Sequence, residues 1–212
     1  MKINEIFYSI QGESSFAGQP CTFIRLTGCN LRCAWCDTRY AFTEGTEMSV
    51  PEIVQSIESY PTRLVLVTGG EPMLQDEVHR LFDALLDCGY TVLLETGGHE
   101  PLATVDVQVH KIVDFKCPSS GMVECNDYGN VCCLTSGDEV KFVVADRTDF
   151  DWACDVIEKH ALAARAGALH FSPVSGRVSP AELAEWILRC RLPVRMQLQL
   201  HKIIWPDILR GV

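Results

Sequence analysis

Short, continuously apolar runs recur along the chain, spaced so that one amphipathic helix fits between most of them. The clearest runs are Thr22–Leu26, Leu64–Val67, Thr91–Glu95, Lys111–Phe115, Val140–Val144, Leu169–Ser172 and Arg195–Leu200. Such runs belong to strands buried on both faces of a parallel sheet. The helices between them carry start and stop signals. Ser49 is placed to N-cap a helix with Pro51 and Glu52 in its first turn, ending near Tyr60 before Pro61. A second helix is expected from about Gln75 to Cys88, stopped by Gly89. A third covers roughly 150–160, and a fourth starts after Ser179, with Pro180 and Glu182 in its first turn, and ends near Cys190.

Strand–helix alternation of this kind predicts an α/β fold with parallel crossovers. About six units fall short of the roughly 250 residues typical of a closed eightfold barrel. The expectation is therefore a partial, open parallel (β/α) barrel, forming one domain over residues 1–212. The segments 100–110 and 117–137 are its least regular parts. The distinctive residues fall where the strands end: Cys29–Cys36, Thr68–Pro72, Glu95–Gly98, Asp114–Gly121 and Ser172–Gly176. In parallel α/β barrels that end carries the active site.

Charge and composition narrow the partners. The formal net charge is −10 and the chain has no basic run, which disfavours direct nucleic-acid binding and favours a small-molecule substrate. No apolar run approaches the roughly 20 residues of a membrane span, and the N-terminus has no secretory pattern. A cytoplasmic protein is expected. The odd count of eleven cysteines, without an export signal, argues against a disulfide framework. Cys21, Cys88, Cys154 and Cys190 sit in apolar patterns and read as small buried residues. Cys117, Cys125, Cys132 and Cys133 match no standard metal-binding spacing.

The remaining three carry chemistry. Cys29, Cys33 and Cys36 lie in one loop, and no fourth cysteine or histidine follows closely. A structural zinc site wants four protein ligands, commonly in two pairs. A 4Fe–4S cluster held by three thiolates keeps one iron free, and that iron suits the amino and carboxylate groups of S-adenosylmethionine (SAM). Trp35 is placed to pack over the cluster. Directly after the strand at 64–67 comes Thr68-Gly-Gly-Glu-Pro72. Its glycines, Gly70 included, permit close approach of backbone to ligand, and Glu71 is a candidate acceptor for a bound ammonium group.

The cysteine loop and the Gly-Gly-Glu-Pro element together resemble the radical SAM enzymes. Within that group, the Phe-Tyr-Ser-Ile-Gln-Gly-Glu string at 7–13 and the stretch 22–38 are similar to the 7-carboxy-7-deazaguanine synthase family. So are Thr-Gly-Gly-Glu-Pro at 68–72, Glu-Thr-Gly-Gly at 95–98, Asp-Phe-Lys-Cys-Pro-Ser-Ser-Gly at 114–121, Phe-Ser-Pro-Val-Ser-Gly at 171–176 and Gln-Leu-His-Lys at 199–202. The resemblance implies conversion of 6-carboxy-5,6,7,8-tetrahydropterin to 7-carboxy-7-deazaguanine with loss of ammonia, on the route to queuosine-type deazapurines. It also implies a 4Fe–4S cluster, SAM and Mg²⁺, an external one-electron donor of the flavodoxin or ferredoxin type, and a homodimer.

Carried over residue by residue, the resemblance makes Thr38 the Mg²⁺ ligand. It makes Ile10, Gln11, Gly12, Arg25, Thr68 and His201 substrate contacts, with Glu13 a candidate acceptor from the pterin ring. Arg25 is suited to a bidentate pair with the substrate carboxylate. Gly70, Lys116, Cys117, Pro118, Ser172, Pro173, Val174 and Ser175 fall where the family binds SAM. His201 is expected near the end of the last strand. Two departures stand out: Ser14 replaces the family's usual glycine, and the tail 203–212 does not match the family's C-terminal substrate contact. Two other readings share parts of this pattern. A glycyl-radical activating enzyme uses the same cysteine spacing but leaves the 7–13 string unexplained, and a non-enzymatic zinc- or cluster-binding module would differ in metal content.

Overall fold

A computed structural model describes all 212 residues, Met1–Val212. In chain order the elements are β1 (Lys2–Ile10), β2 (Pro20–Leu26), β3 (Thr46–Glu47), α1 (Val50–Ile57), β4 (Leu64–Gly69), α2 (Val78–Asp87), β5 (Thr91–Thr96), β6 (His110–Phe115), β7 (Glu139–Val144), α3 (Arg147–Lys159), β8 (Ala168–Pro173), α4 (Pro180–Cys190), β9 (Arg195–Met196) and α5 (Leu200–Ile204). The strands form one sheet in the order β3-β1-β2-β4-β5-β6-β7-β8-β9. Every neighbouring pair from β2 to β9 is parallel, while β1 runs antiparallel to β2 and β3 antiparallel to β1. This is the open, partial parallel (β/α) barrel that the spacing of apolar runs predicts.

The two faces of the sheet are built from alternate residues, as strand geometry requires. On β4, Val65 and Val67 pack in the large core under the helices, whereas Leu64 and Leu66 belong to a small inner cluster. The same split separates Leu94 from Leu93 on β5 and Val113 from Ile112 on β6. Toward the C-terminal ends the inner positions turn polar: Arg25, Thr68, Glu95, Asp114 and Lys141 all line one cavity. Apolar residues thus plug the bottom of the barrel and leave its top open.

Helix boundaries follow local capping. Ser49 and Glu52 form a reciprocal capping box at α1, which ends at Ile57, short of Tyr60. Residues 72–74 form a 3-10 turn, so α2 begins at Val78 instead of Gln75. Asp146 accepts the Asp149 amide and starts α3 three residues earlier than expected. The sequence pattern misses β1, an antiparallel strand of mixed burial that has no continuous apolar run. The expected last strand, Arg195–Leu200, is also corrected. Only Arg195–Met196 pair, and the chain then turns into α5, which places His201 on a helix.

At the bottom of the barrel, Asp138 accepts from the Lys111 and Thr135 amides and pairs with Lys111 Nζ at 3.2 Å, both side chains being 2% exposed. Asp138→Ala leaves the Lys111 ammonium buried without its carboxylate, a loss of about 3–5 kcal/mol for such pairs. The expected result is a markedly lower urea midpoint with no change in the cavity residues. The check is equilibrium denaturation of the variant beside wild type.

Candidate active site at the open end of the barrel

The strand ends open into a cavity of about 540 Å³, within the roughly 300–1,000 Å³ usual for small-molecule sites. On one wall stands the loop after β2, where Cys29, Cys33 and Cys36 are half-buried free thiols. Burial raises the Cys29 and Cys33 thiols above their ordinary value, with Lys116 pulling the other way. Iron in place of the thiol protons relieves that penalty, because a metal deprotonates its cysteine ligands. Three cysteines in one loop fit a cluster that spreads its thiolate ligands over separate irons, whereas a tetrahedral structural zinc asks for four ligands on one ion.

The Gly-Gly-Glu-Pro turn after β4 touches this loop directly. Glu71 N donates to Gly28 O at 2.8 Å, and a Cβ on Gly70 would collide with Gly28 O and lie 2.7 Å from Cys29 Cβ. Gly69 has φ +153 and would clash with Leu26 backbone. Glycine is required here by close approach as well as by conformation. Glu71 does not offer a free carboxylate. It accepts from Thr96 Oγ1 (2.8 Å), Gly97 N (2.8 Å) and Met73 N (3.1 Å), tying the turn to the end of β5. Burial raises its carboxyl above the usual range despite these bonds.

The opposite wall is the corner between β1 and β2. Gln11 is buried, and its Oε1 accepts the Glu13 amide. Glu13 Oε1 accepts from Gln199 Nε2 and Oε2 from Lys141 Nζ, both at 2.7 Å. Burial alone would raise the Glu13 carboxyl, but Lys141 holds it below its ordinary value. Lys141 also reaches Glu95 Oε1 at 2.6 Å and Asp114 Oδ2 at 3.5 Å, and Asp114 pairs with Lys116 at 3.1 Å. Gly12 lies beneath α5: its carbonyl accepts the Leu200 amide, and a Cβ there would sit 2.5 Å from His201 Nδ1. Burial lowers the His201 imidazole.

Arg25 faces the cavity with its Nε bonded to Glu5 Oε1 at 2.7 Å, and the Tyr40 hydroxyl donates to the same oxygen at 3.0 Å. Thr38 Oγ1 donates to Asp37, and Lys202 pairs with Asp37 at 2.7 Å, which ties α5 to the cysteine loop. Ile10, Trp35, Thr68, Cys117, Val174 and Ser175 line the cavity as well. Pro118, Ser172 and Pro173 do not. Ser172 and Pro173 are buried within β8, and Pro118 opens a 3-10 turn behind Cys117.

Chain comparisons give this geometry a family. Residues 23–115 match the Radical SAM superfamily model. The 7-carboxy-7-deazaguanine synthase of Chlorobaculum tepidum is 49% identical over all of this chain and 97% of its own. The chain belongs to the 7-carboxy-7-deazaguanine synthase family. The synthase of Koribacter versatilis is 44% identical over the full length of both chains. The crystal structure of QueE from Escherichia coli shares the fold, with a TM-score of 0.73 and 24% identity over 93% of each chain. A member of this radical SAM family uses a 4Fe–4S cluster and SAM and acts on a small molecule, in 7-deazapurine biosynthesis. No helix is long and apolar enough to cross a membrane.

Residue-by-residue reading of the sequence overlooks Lys141, Asp37, Tyr40, Gln199, Lys202 and the tail residues Trp205, Pro206, Ile208, Leu209 and Val212, all of which line the cavity. Lys141 carried a signal: a lysine inside the apolar run Val-Lys-Phe-Val-Val is rarely buried unless it is paired. Its importance is testable. Lys141→Met leaves Glu13, Glu95 and Asp114 without their shared cation, at a cost of roughly 3–5 kcal/mol for a broken buried pair. The expected outcome is a lower melting temperature, part of which returns when Glu13→Gln is added, and calorimetry of the three proteins checks it.

Proposed function

We propose that this protein converts 6-carboxy-5,6,7,8-tetrahydropterin to 7-carboxy-7-deazaguanine with loss of ammonia. The observation that carries the reading is that the cysteine loop and the Gln11–Glu13 corner open into one cavity, so cofactor and substrate would meet there. In this reading Cys29, Cys33 and Cys36 hold the cluster, and Trp35, Gly70, Lys116, Cys117, Val174 and Ser175 face SAM. When bound, cluster and SAM supply the one-electron chemistry that opens the reaction.

The protein's own groups orient the pterin. Ile10, Gln11 and Gly12 read its amide edge, Glu13 accepts from a ring N–H, and Thr68 and His201 complete the contacts. Arg25 meets the substrate carboxylate through the guanidinium nitrogens that Glu5 leaves free. Glu5 and Tyr40 fix the plane of that fork. Thr38 would offer its hydroxyl oxygen to Mg²⁺, a hard cation that takes oxygen ligands. The apolar tail residues Trp205, Ile208 and Leu209 border the same cavity. The protein works as a homodimer of one-domain subunits in the cytoplasm and draws its electron from a flavodoxin- or ferredoxin-type carrier. The acidic surface fits a free pterin rather than tRNA as substrate.

Anaerobic reconstitution followed by incubation with SAM, reductant and the carboxypterin tests the assignment. Turnover to the carboxydeazaguanine is expected, with about four irons per chain, the composition of a 4Fe–4S centre. Iron content near zero, or SAM cleavage that the pterin does not affect, would sink it. Replacing any one of Cys29, Cys33 or Cys36 by Ala should abolish SAM cleavage, while Cys88→Ala and Cys190→Ala keep full iron content.

Arg25→Ala should weaken pterin binding by about 2–5 kcal/mol, roughly 30- to several-thousand-fold, and leave SAM affinity in place. Arg25→Lys should recover only part of that loss, because it lacks the planar fork. Separate titrations of pterin and SAM decide between the two ligands. A fall in SAM affinity with pterin affinity intact would reverse the orientation.

A further inference from the structure

One rung below Lys141 on the inner face of β7 lies Glu139, outside the cavity and 2% exposed. Residues two apart on a strand point the same way, about 6.5 Å from each other. Glu139 and Lys141 therefore face the same loop, and they hold it two residues apart. Lys141 grips Glu13, and Glu139 accepts the Ser15 amide with both oxygens, at 3.0 and 3.1 Å. From the sheet side, His110 Nε2 stands 3.0 Å from Glu139 Oε1, within hydrogen-bond geometry. His170 Nε2 lies 2.7 Å from Oε2, at ion-pair distance but off the hydrogen-bond angle. Burial would raise the Glu139 carboxyl, and the two histidines hold it well below the usual carboxylate range.

The loop needs such a grip. Ser14, which is buried, has φ +65, a left-handed conformation unfavourable for a non-glycine residue. Strained backbone of this kind persists only where its surroundings over-determine it. Ser14 Oγ accepts the Phe16 amide, Phe16 packs edge-on against His110, and Arg195 Nη1 donates to Ser15 Oγ at 2.9 Å. The corner is closed by Gln11 N to Gln19 O and Gly18 N to Gln11 O.

We propose that Glu139 is a positioning residue for substrate recognition: by holding Ser15 it keeps the Gln11–Glu13 corner in its ligand-reading shape. The proposal rests on the reading that this corner contacts the pterin. It adds a carboxylate outside the cavity whose effect falls on one ligand and not on the other. SAM, bound against the cysteine loop and the end of β4, does not depend on the corner.

The test uses the reconstituted enzyme with Glu139→Gln and with Glu139→Asp. The second keeps the charge between the histidines but withdraws the carboxylate by one methylene, and it serves if the first does not fold. Amide hydrogen exchange over 11–19 should accelerate by about tenfold or more in both variants, with the cysteine loop unchanged. KM for the carboxypterin should rise about tenfold while KM for SAM stays within about twofold. Unchanged exchange over 11–19, or equal rises in both KM values, would overturn the proposal. If wild type fails to convert the carboxypterin while exchange responds as expected, the reaction assigned above falls and the anchor stands.

Discussion

The Lys141 ammonium is the interaction on which the site depends. It sits inside the sheet with three carboxylates around it, from the β1–β2 corner, β5 and β6. An ammonium taken out of water is costly unless its protons are satisfied and its charge is matched. Glu13, Glu95 and Asp114 do both, and Lys116 returns part of the excess negative charge through Asp114. Four separate segments of chain are thereby held at one point.

That cluster marks a boundary inside the barrel. Below it the inner face is filled by Phe7, Phe23, Leu66, Leu93 and Ile112, with Phe7 and Phe23 stacked at 4.7 Å. Above it the barrel opens into the cavity, whose lining mixes polar groups such as Arg25 and Thr68 with apolar ones such as Val143 and Trp35. Outside, the larger core of Phe82, Phe115, Phe142, Phe150 and Phe171 supports the sheet against the helices. A rigid outer layer lets the inner layer carry buried charge, because the strands cannot shift to relieve it.

The cysteine loop is positioned by backbone instead of by charge. Gly69 and Gly70 let β4 approach the end of β2, Glu71 ties the turn to β5, and Ala34 N donates to Ser120 O across the cavity rim. Lys202 and Asp37 close the circle by joining α5 to the same loop. Both walls touch the segment around α5: Gln199, one residue before α5, holds Glu13, while Lys202 on α5 holds the loop that follows Cys36.

The chain by itself determined the parallel barrel, because strands buried on both faces must be apolar throughout and two of the helices announce their caps at Ser49 and Ser179. It also determined the ligand-holding end, since cysteines three and four apart and a Gly-Gly pair at a strand end are local patterns. Arg25, Glu13 and Thr38 were legible as wall residues through their motifs. Their partners were not. Glu13 meets Lys141 across 128 residues and Gln199 across 186, and Ser15 meets Glu139 across 124. No periodicity links such positions; only sheet register brings them together. Glu5 as the partner of Arg25 depends on β1, whose half-polar pattern hides it as a strand. His201 moved from strand to helix because β9 has a neighbour on one side only, and its ladder ends after two residues. Tertiary structure alone decided these pairings, because the favourable energy of a buried charge pair exists only once both segments are already in place.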